Sequence, residues 1–185
     1  AEIVKMKIHS DSESNSHLEQ IIFGSQRAAM LIERMLTYSG KKSLDSSRIN
    51  PTERIKAIFD SMATLQPSTI AMNLELSEDL PLIQIDGTEL ERAIQNLLQN
   101  SLNALKDHKG KITLRVAYDE DTQLPEDVVG NDLQGKPTLR VEVEDTGVGM
   151  SLEESSRALE PFFSTQSQGK GLGLVNVLSS VEGAG

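Results

Sequence analysis

From about residue 50 onward the hydrophobic period of this chain switches repeatedly between two values, which limits the fold class more than any other feature. Ile70, Met72, Leu74 and Leu76 alternate with polar neighbours, as do Ile112, Leu114 and Val116, and again Leu139, Val141 and Val143. Period-two alternation marks strands with one face turned to a core. Between them lie helical patterns. Over 51–65, Ile55, Ile58, Phe59 and Met62 share a face. A longer helix opens at Thr88, with Glu91 three residues on as a capping box after an Asp86-Gly87 turn, and runs to about Asp107. Its apolar stripe is Leu90, Ile94, Leu97, Leu98, Leu102 and Leu105. A second capping box, Ser151 to Glu154, opens a short helix ending near Pro161, and a final helix spans Leu172 to Val181. The residues predict an α+β fold, a mixed sheet with helices on one face. Asp119 to Gly135 reads as a hairpin insertion between two strands.

The first fifty residues differ. Leu18, Ile21, Ile22, Ser25, Ala28, Ala29, Ile32, Met35 and Leu36 form a narrow stripe near a 3.5-residue period. One helix cannot bury such a stripe alone, so a partner helix is expected, in cis or in trans. Ile3, Val4 and Ile8 suggest the end of one, beyond a polar loop at 10–16. The long helix stops at Tyr38-Ser-Gly40, and 41–51 reads as a linker.

Composition narrows the function classes. Lys plus Arg number 18 against 28 Asp plus Glu, a net charge of −10, which argues against nucleic acid or an anionic membrane as partner. With no Cys, disulfides, zinc ribbons and thiol nucleophiles are excluded. No apolar run is long enough for a bilayer, and the start lacks the apolar stretch of a secretory signal. A soluble, intracellular protein is expected.

Four segments carry candidate chemistry. On the helix from Thr88, Asn96, Asn100, Asn103 and Asp107 lie on one face opposite the leucines. Asn is a poor helix former, so the stripe reads either as the wall of a polar cleft, with an amide oxygen for a hard cation such as Mg²⁺, or as a solvated face. Asp145-Thr-Gly-Val-Gly149 follows a strand directly. Two glycines let the backbone pass close to a ligand, and the carboxylate can accept from an exocyclic amine such as adenine's; an ordinary turn has the same composition. Gly169-Lys-Gly-Leu-Gly173 opens the last helix, a phosphate-accepting arrangement or a hinge. It lacks the Lys-Ser/Thr ending of a P-loop and the context of a dinucleotide fingerprint. Pro161-Phe-Phe-Ser-Thr165 holds two of the four Phe residues, as a lid anchor or as simple packing.

Taken in order, these segments resemble the catalytic, ATP-binding domain of sensor histidine kinases within the GHKL ATPase superfamily. The stretch from Asn96 to Ala104 looks like the N box, Asp145 to Gly149 like the first glycine box, Pro161 to Thr165 like the F box, and Gly169 to Leu174 like the second glycine box. Arg27 to Gly40 is similar to the second helix of the dimerisation and phosphotransfer hairpin. The resemblance implies a partial helical hairpin over 1–45 and a Bergerat-type two-layer sandwich over 46–185, with ATP and Mg²⁺ as ligands. Asn100 would coordinate Mg²⁺, Asn96 would face the phosphates, and Asn103 would line the same cleft. Asp145 would take the adenine amine, with Gly147 and Gly149 shaping that wall. Phe163, Thr165, Gly169, Lys170, Gly171, Leu172 and Gly173 would form the lid and present backbone N–H groups to the phosphates.

The implied reaction is transfer of the γ-phosphoryl to a His and onward to an Asp of a response-regulator receiver domain. The implied assembly is a homodimer through the N-terminal hairpin, in a cytoplasmic setting, any membrane anchor belonging to the parent protein. Of His9, His17 and His108 none falls where the family's acceptor sits, so the acceptor is expected before Ala1, and a closing strand beyond Gly185. Gln166 stands where the family usually has Lys, with Lys170 as a substitute. Two other readings stay open: a different GHKL-type ATPase, or a non-catalytic dimerisation or scaffold module with a degenerate cleft.

Overall fold

The computed structural model describes residues 47–105, 109–123, 133–165 and 171–184, together with His17, Ile21, Gly24 and Ser25. The chain divides into two compact units, Ala1–Leu44 and Asp45–Gly185. Of the first, the four single residues are helical and exposed, Ile21 at 59%. The rest of the stripe from Leu18 to Leu36, the stop at Tyr38 to Gly40, His9 and His108 lie outside the described residues.

The second unit begins with a strand rather than a linker. β1 (Ser47–Ile49) pairs antiparallel with β3 (Ile83–Ile85), Arg48 opposite Gln84. Neither three-residue strand is long enough to show a period, so only pairing makes them visible. α1 (Pro51–Thr64) starts because the Asn50 side chain accepts from the Thr52 N–H at 3.0 Å and Pro51 occupies the first turn. It buries Ile55, Ile58 and Phe59.

β2 (Ile70–Leu76), β4 (Gly110–Asp119) and β5 (Thr138–Asp145) form the main sheet in the order β2-β4-β5. β2 runs parallel to β4, and β5 antiparallel to it, so the sheet is mixed. Ile112, Leu114 and Val116 of the central strand are no more than 2% exposed. Met72, Leu74, Leu76, Leu139, Val141 and Val143 pack around them on the same face. Fully burying one such side chain stabilises by about 1.5–3 kcal/mol. The other face carries charge: Arg115 binds Glu75 at 2.8 Å and Glu144 at 2.7 Å, and Arg140 binds Asp119 at 2.8 Å and Glu142 at 2.6 Å. The hydrogen bonds that Arg115 donates to Glu144 and then to Glu75 hold its guanidinium pKa above the ordinary value.

α2 (Gly87–Ala104) links the β1–β3 ribbon to the main sheet, burying Leu90, Ile94, Leu98 and Leu102, with Leu105 beyond its end fully buried. Its start corrects the sequence reading. The cap is Asp86, whose carboxylate accepts from the Thr88 N–H at 2.8 Å, so Thr88 is already inside the helix. Glu91 does not close a capping box; it binds Arg54 of α1 at 2.6 Å. Either side chain can accept from a free N–H at the cap, but an Asp also places a negative charge at the positive end of the helix dipole, which Thr cannot do. The helix also ends at Ala104, with Leu105 as C-cap, short of the Asp107 expected.

β4 and β5 are joined by the expected hairpin, whose described ends meet through Thr122 N–H to Lys136 O at 3.2 Å and Gly135 N–H to Thr122 O at 2.9 Å. α3 (Leu152–Arg157) opens with the expected capping box. The Ser151 hydroxyl accepts from the Glu154 N–H at 3.2 Å, and the Glu154 carboxylate accepts from the Ser151 N–H at 2.7 Å. The helix ends at Arg157, before Pro161. α4 (Gly173–Ala184) starts one residue later and runs three residues further than its periodicity indicates. No helix among the described residues is long and apolar enough to cross a membrane.

Candidate functional site

The alternation that buries Leu139, Val141 and Val143 puts Asp145 on the same, helix-covered face of β5, opposite Ile112 at the strand's end. There the carboxylate is half-buried and its Oδ1 accepts from the Gly147 N–H at 2.9 Å. This turns the chain off the sheet and onto the last residue of α2. A Cβ at Gly147 would lie 2.6 Å from the Ala104 Cβ and 2.8 Å from its carbonyl carbon and oxygen. Because two of those atoms are backbone, only glycine fits without movement. The Val148 N–H completes the seat by donating to the Ala104 carbonyl at 3.3 Å. Gly149 differs: nothing approaches it within 4 Å, and its φ of +69° is the reason for glycine there.

One turn back along α2, Asn100 meets the start of α4. A Cβ at Gly173 would stand 3.2 Å from Asn100 Oδ1 and 3.4 Å from Nδ2. Asn96, Asn100 and Asn103 are all half-buried, and Asn103 Oδ1 accepts from Gln99 Nε2 at 3.1 Å. The two glycine-containing loops therefore press on α2 four residues apart, about 6 Å along its axis. α4 is held along α2 at its far end too, where the buried Ser180 hydroxyl donates to Glu89 Oε2 at 2.7 Å.

The Phe pair closes onto the same place. The Phe162 N–H donates to the Gly171 carbonyl at 2.8 Å. Both residues are left-handed, Phe162 at φ 70° and Gly171 at φ 62°. A Cβ on Gly171 would collide with the Phe162 carbonyl carbon and come within 2.5 Å of the Phe163 carbonyl oxygen. Holding a Phe in that region costs about 1–2 kcal/mol, which the contact with Gly171 has to offset. Phe163 lies under the Arg157 guanidinium, 4.3 Å from ring centroid to Cζ. Thr165 is exposed, and Leu172 accepts from the Asn176 N–H at 2.9 Å to begin α4. Gly169, Lys170 and Gln166 lie outside the described residues.

Asn96, Asn100, Asn103, Asp145, Gly147, Phe163, Gly171, Leu172 and Gly173 thus belong to segments that converge on the C-terminal half of α2. Thr146, Ala104 and Gly110 also hold the site together, and sequence reasoning passed over them. Ala104 offered only its small size as a signal, and Thr146 only its place between an Asp and a Gly at a strand end. Among the described residues no group of three or more His, Asp or Glu could hold a metal ion. A cation here would rest on amide oxygen and on oxygens brought by a ligand.

The family described as histidine kinase-, DNA gyrase B-, and HSP90-like ATPase matches residues 85–185, and the chain belongs to it. The chain is 26% identical over 190 residues to the sensory histidine kinase/phosphatase NtrB of Rhizobium meliloti, covering 100% of this chain and 48% of that protein. It is 29% identical over 150 residues to the sensor kinase CckA of Brucella abortus, covering 81% of this chain and 16% of that one. The solved catalytic domain of histidine kinase ThkA aligns at 26% identity with a TM-score of 0.57, covering 75% of this chain and 80% of that one. ThkA in complex with the response regulator protein TrrA aligns at 21% identity and a TM-score of 0.50, over 88% of this chain and 45% of that one. The chain spans about half or less of the relatives' length, and it carries the catalytic ATPase domain that these sensor kinases share.

Proposed function

We propose that this chain binds Mg·ATP in the cleft along α2 and serves as the phosphoryl-donating part of a sensor histidine kinase. One observation carries the reading: the Asp145 loop and the Gly171–Gly173 loop are seated on α2 at Ala104 and Asn100, one turn apart. That separation suits a ligand with a base at one end and phosphates at the other. Asp145 has one oxygen engaged by Gly147, which leaves the other for the exocyclic amine of adenine. Gly147 keeps that wall thin against α2, and Gly149 supplies the left-handed turn that shapes it.

Asn100 offers an amide oxygen beside the N-terminus of α4, whose free N–H groups and dipole favour the phosphates. Asn96 and Asn103 flank it on the same helix. Phe163, Thr165, Gly169, Lys170, Gly171 and Leu172 form the covering segment, Lys170 supplying the cation that Gln166 does not. Bound Mg²⁺ would neutralise the β- and γ-phosphate oxygens, and positioning with charge neutralisation supplies most of the rate in phosphoryl transfer. The group passes to a His outside the three in this chain and then to an Asp of a response regulator, the kind of partner that ThkA has in its complex. The exposed Ile21, on the stripe from Leu18 to Leu36, fits a homodimer built through the N-terminal helices. The domain works in the cytoplasm, where ATP is available; any membrane anchor belongs to the parent protein.

Calorimetric titration with ATP, with and without Mg²⁺, tests the reading. We expect saturable, Mg²⁺-dependent binding that Asn100→Ala weakens at least tenfold in folded protein. Well-folded chain that takes up no adenine nucleotide would favour a scaffold module instead.

A further inference from the structure

The end of β5 is bonded to β4 in an unusual way. The register pairs Ile112 with Asp145, so the next pair is Lys111 with Thr146. The Thr146 N–H donates to the Lys111 carbonyl at 3.1 Å, as a ladder requires. The return bond is different: the Lys111 N–H donates to the Thr146 Oγ1 at 3.0 Å, the side chain taking the place of the backbone carbonyl. The Thr146 carbonyl is thereby released from the ladder with Lys111, while the residue's N–H and hydroxyl stay fastened to it. The chain can turn within one residue toward Ala104, where Gly147 and Val148 are seated.

Gly110 makes room for this. A Cβ there would lie 2.7 Å from the Thr146 Oγ1 and would collide with the Leu105 side chain. Asp145 is thus held between two fixed points, the ladder pair with Ile112 behind it and the Thr146 hydroxyl ahead of it.

We propose that Thr146 is the positioning residue that sets base selectivity at this site, favouring a purine with an amine over one with an oxo group in its place. The inference rests on the reading that Asp145 receives the adenine amine. A carboxylate discriminates between amine and oxo groups only while its free oxygen is held in line with the ring edge. Without the hydroxyl, Lys111 loses its acceptor, the turn starts later, and the carboxylate gains freedom to rotate or to admit water. Both purines then bind with similar strength.

The test is a comparison of Mg·ATP and Mg·ITP affinities by calorimetric titration of the whole chain and its variants. Thr146→Val keeps the shape and removes the acceptor; Thr146→Ser keeps the acceptor. We expect Thr146→Val to narrow the ATP-to-ITP preference by about three- to tenfold, the scale of one hydrogen bond, and Thr146→Ser to hold it within about twofold. Should valine prevent folding, the contrast between Thr146→Ser and Thr146→Ala is read in the same way. Equal weakening of both nucleotides, or an unchanged ratio while Asp145→Ala abolishes the preference, overturns the role of Thr146 alone. A preference that survives Asp145→Ala overturns the adenine reading and this inference with it.

Discussion

Gly147 and Gly149 stand two residues apart and are glycine for different reasons. At Gly147 the obstacle is space, since a Cβ would press on the Ala104 backbone at 2.8 Å. At Gly149 the obstacle is conformation, with φ +69° and open surroundings. Gly147→Ala must displace the loop from α2, at a cost of about 1–3 kcal/mol for overpacking, and should weaken ATP binding at least tenfold. Gly149→Ala should cost about 1–2 kcal/mol and leave affinity within a few-fold, because the seat on Ala104 remains. Denaturant melts beside nucleotide titrations of both variants check this, and equal loss of affinity would contradict it. The sequence marks both as glycines of one motif; the distinction depends on what α2 brings alongside, which no local pattern encodes.

Helix and strand boundaries separate what was legible from what was not. Period-two alternation identified β2, β4 and β5, because seven to ten residues give several repeats. β1 and β3, with three residues each, exist through their pairing with each other. The start of α2 was misread by two residues because Asp86 and Thr88 are both good caps; Asp86 takes the role, and Glu91, which a box at Thr88 would need, pairs with Arg54. The Ser151–Glu154 box had no such competitor and stands as read.

That box carries a pH dependence. The hydrogen bond from the Ser151 backbone, then that from its side chain, hold the Glu154 carboxyl below its ordinary value of 4.5. A depressed folded value means a stabilising contribution present above the ordinary range and lost as pH falls through the folded one. The protection factors of the Ser151 and Glu154 amides, measured against their intrinsic exchange rates at each pH, should therefore hold from neutral pH down to the ordinary range and fall well below pH 4.5, the folded value lying under that reference. Glu154→Gln should remove the dependence. Protection unchanged in strong acid would contradict the box as a charged cap.

The pairing of α2 with α4 is the other element-scale device. Ser180 is 8% exposed and donates to Glu89, whose other oxygen binds Arg92 at 2.9 Å. Ser180→Ala should destabilise by about 0.5–1.5 kcal/mol. It should weaken nucleotide binding only slightly, since the Asn100–Gly173 end stays packed. A large loss of affinity at unchanged stability would show that the far end of the helix pair governs the site.

At the scale of the whole second unit, Asp45–Gly185, one helix organises both core and proposed site. The leucine face of α2 sits on the sheet, its asparagine face carries the proposed nucleotide site, and the glycine loops from the two chain segments that follow meet on its last two turns. The ion-paired outer face of the sheet contributes little by comparison, about 0–1 kcal/mol per exposed pair. Order of motifs along the chain was legible and implied a shared site, whereas the contacts made by Ala104, Thr146 and Gly110 arise only once strand and helix ends are brought together. Ion pairs such as Arg115 with Glu144 follow the strand register and were equally hidden.

The most direct measurement of the central claim is an amide and side-chain chemical-shift map of the chain titrated with a non-hydrolysable Mg·ATP analogue. The account predicts that Gly147, Val148, Gly173 and the Asn100 side-chain amide shift together along one saturation curve. Shifts confined to the outer sheet face around Arg115 and Arg140, or no saturable shifts from a folded chain, would contradict it.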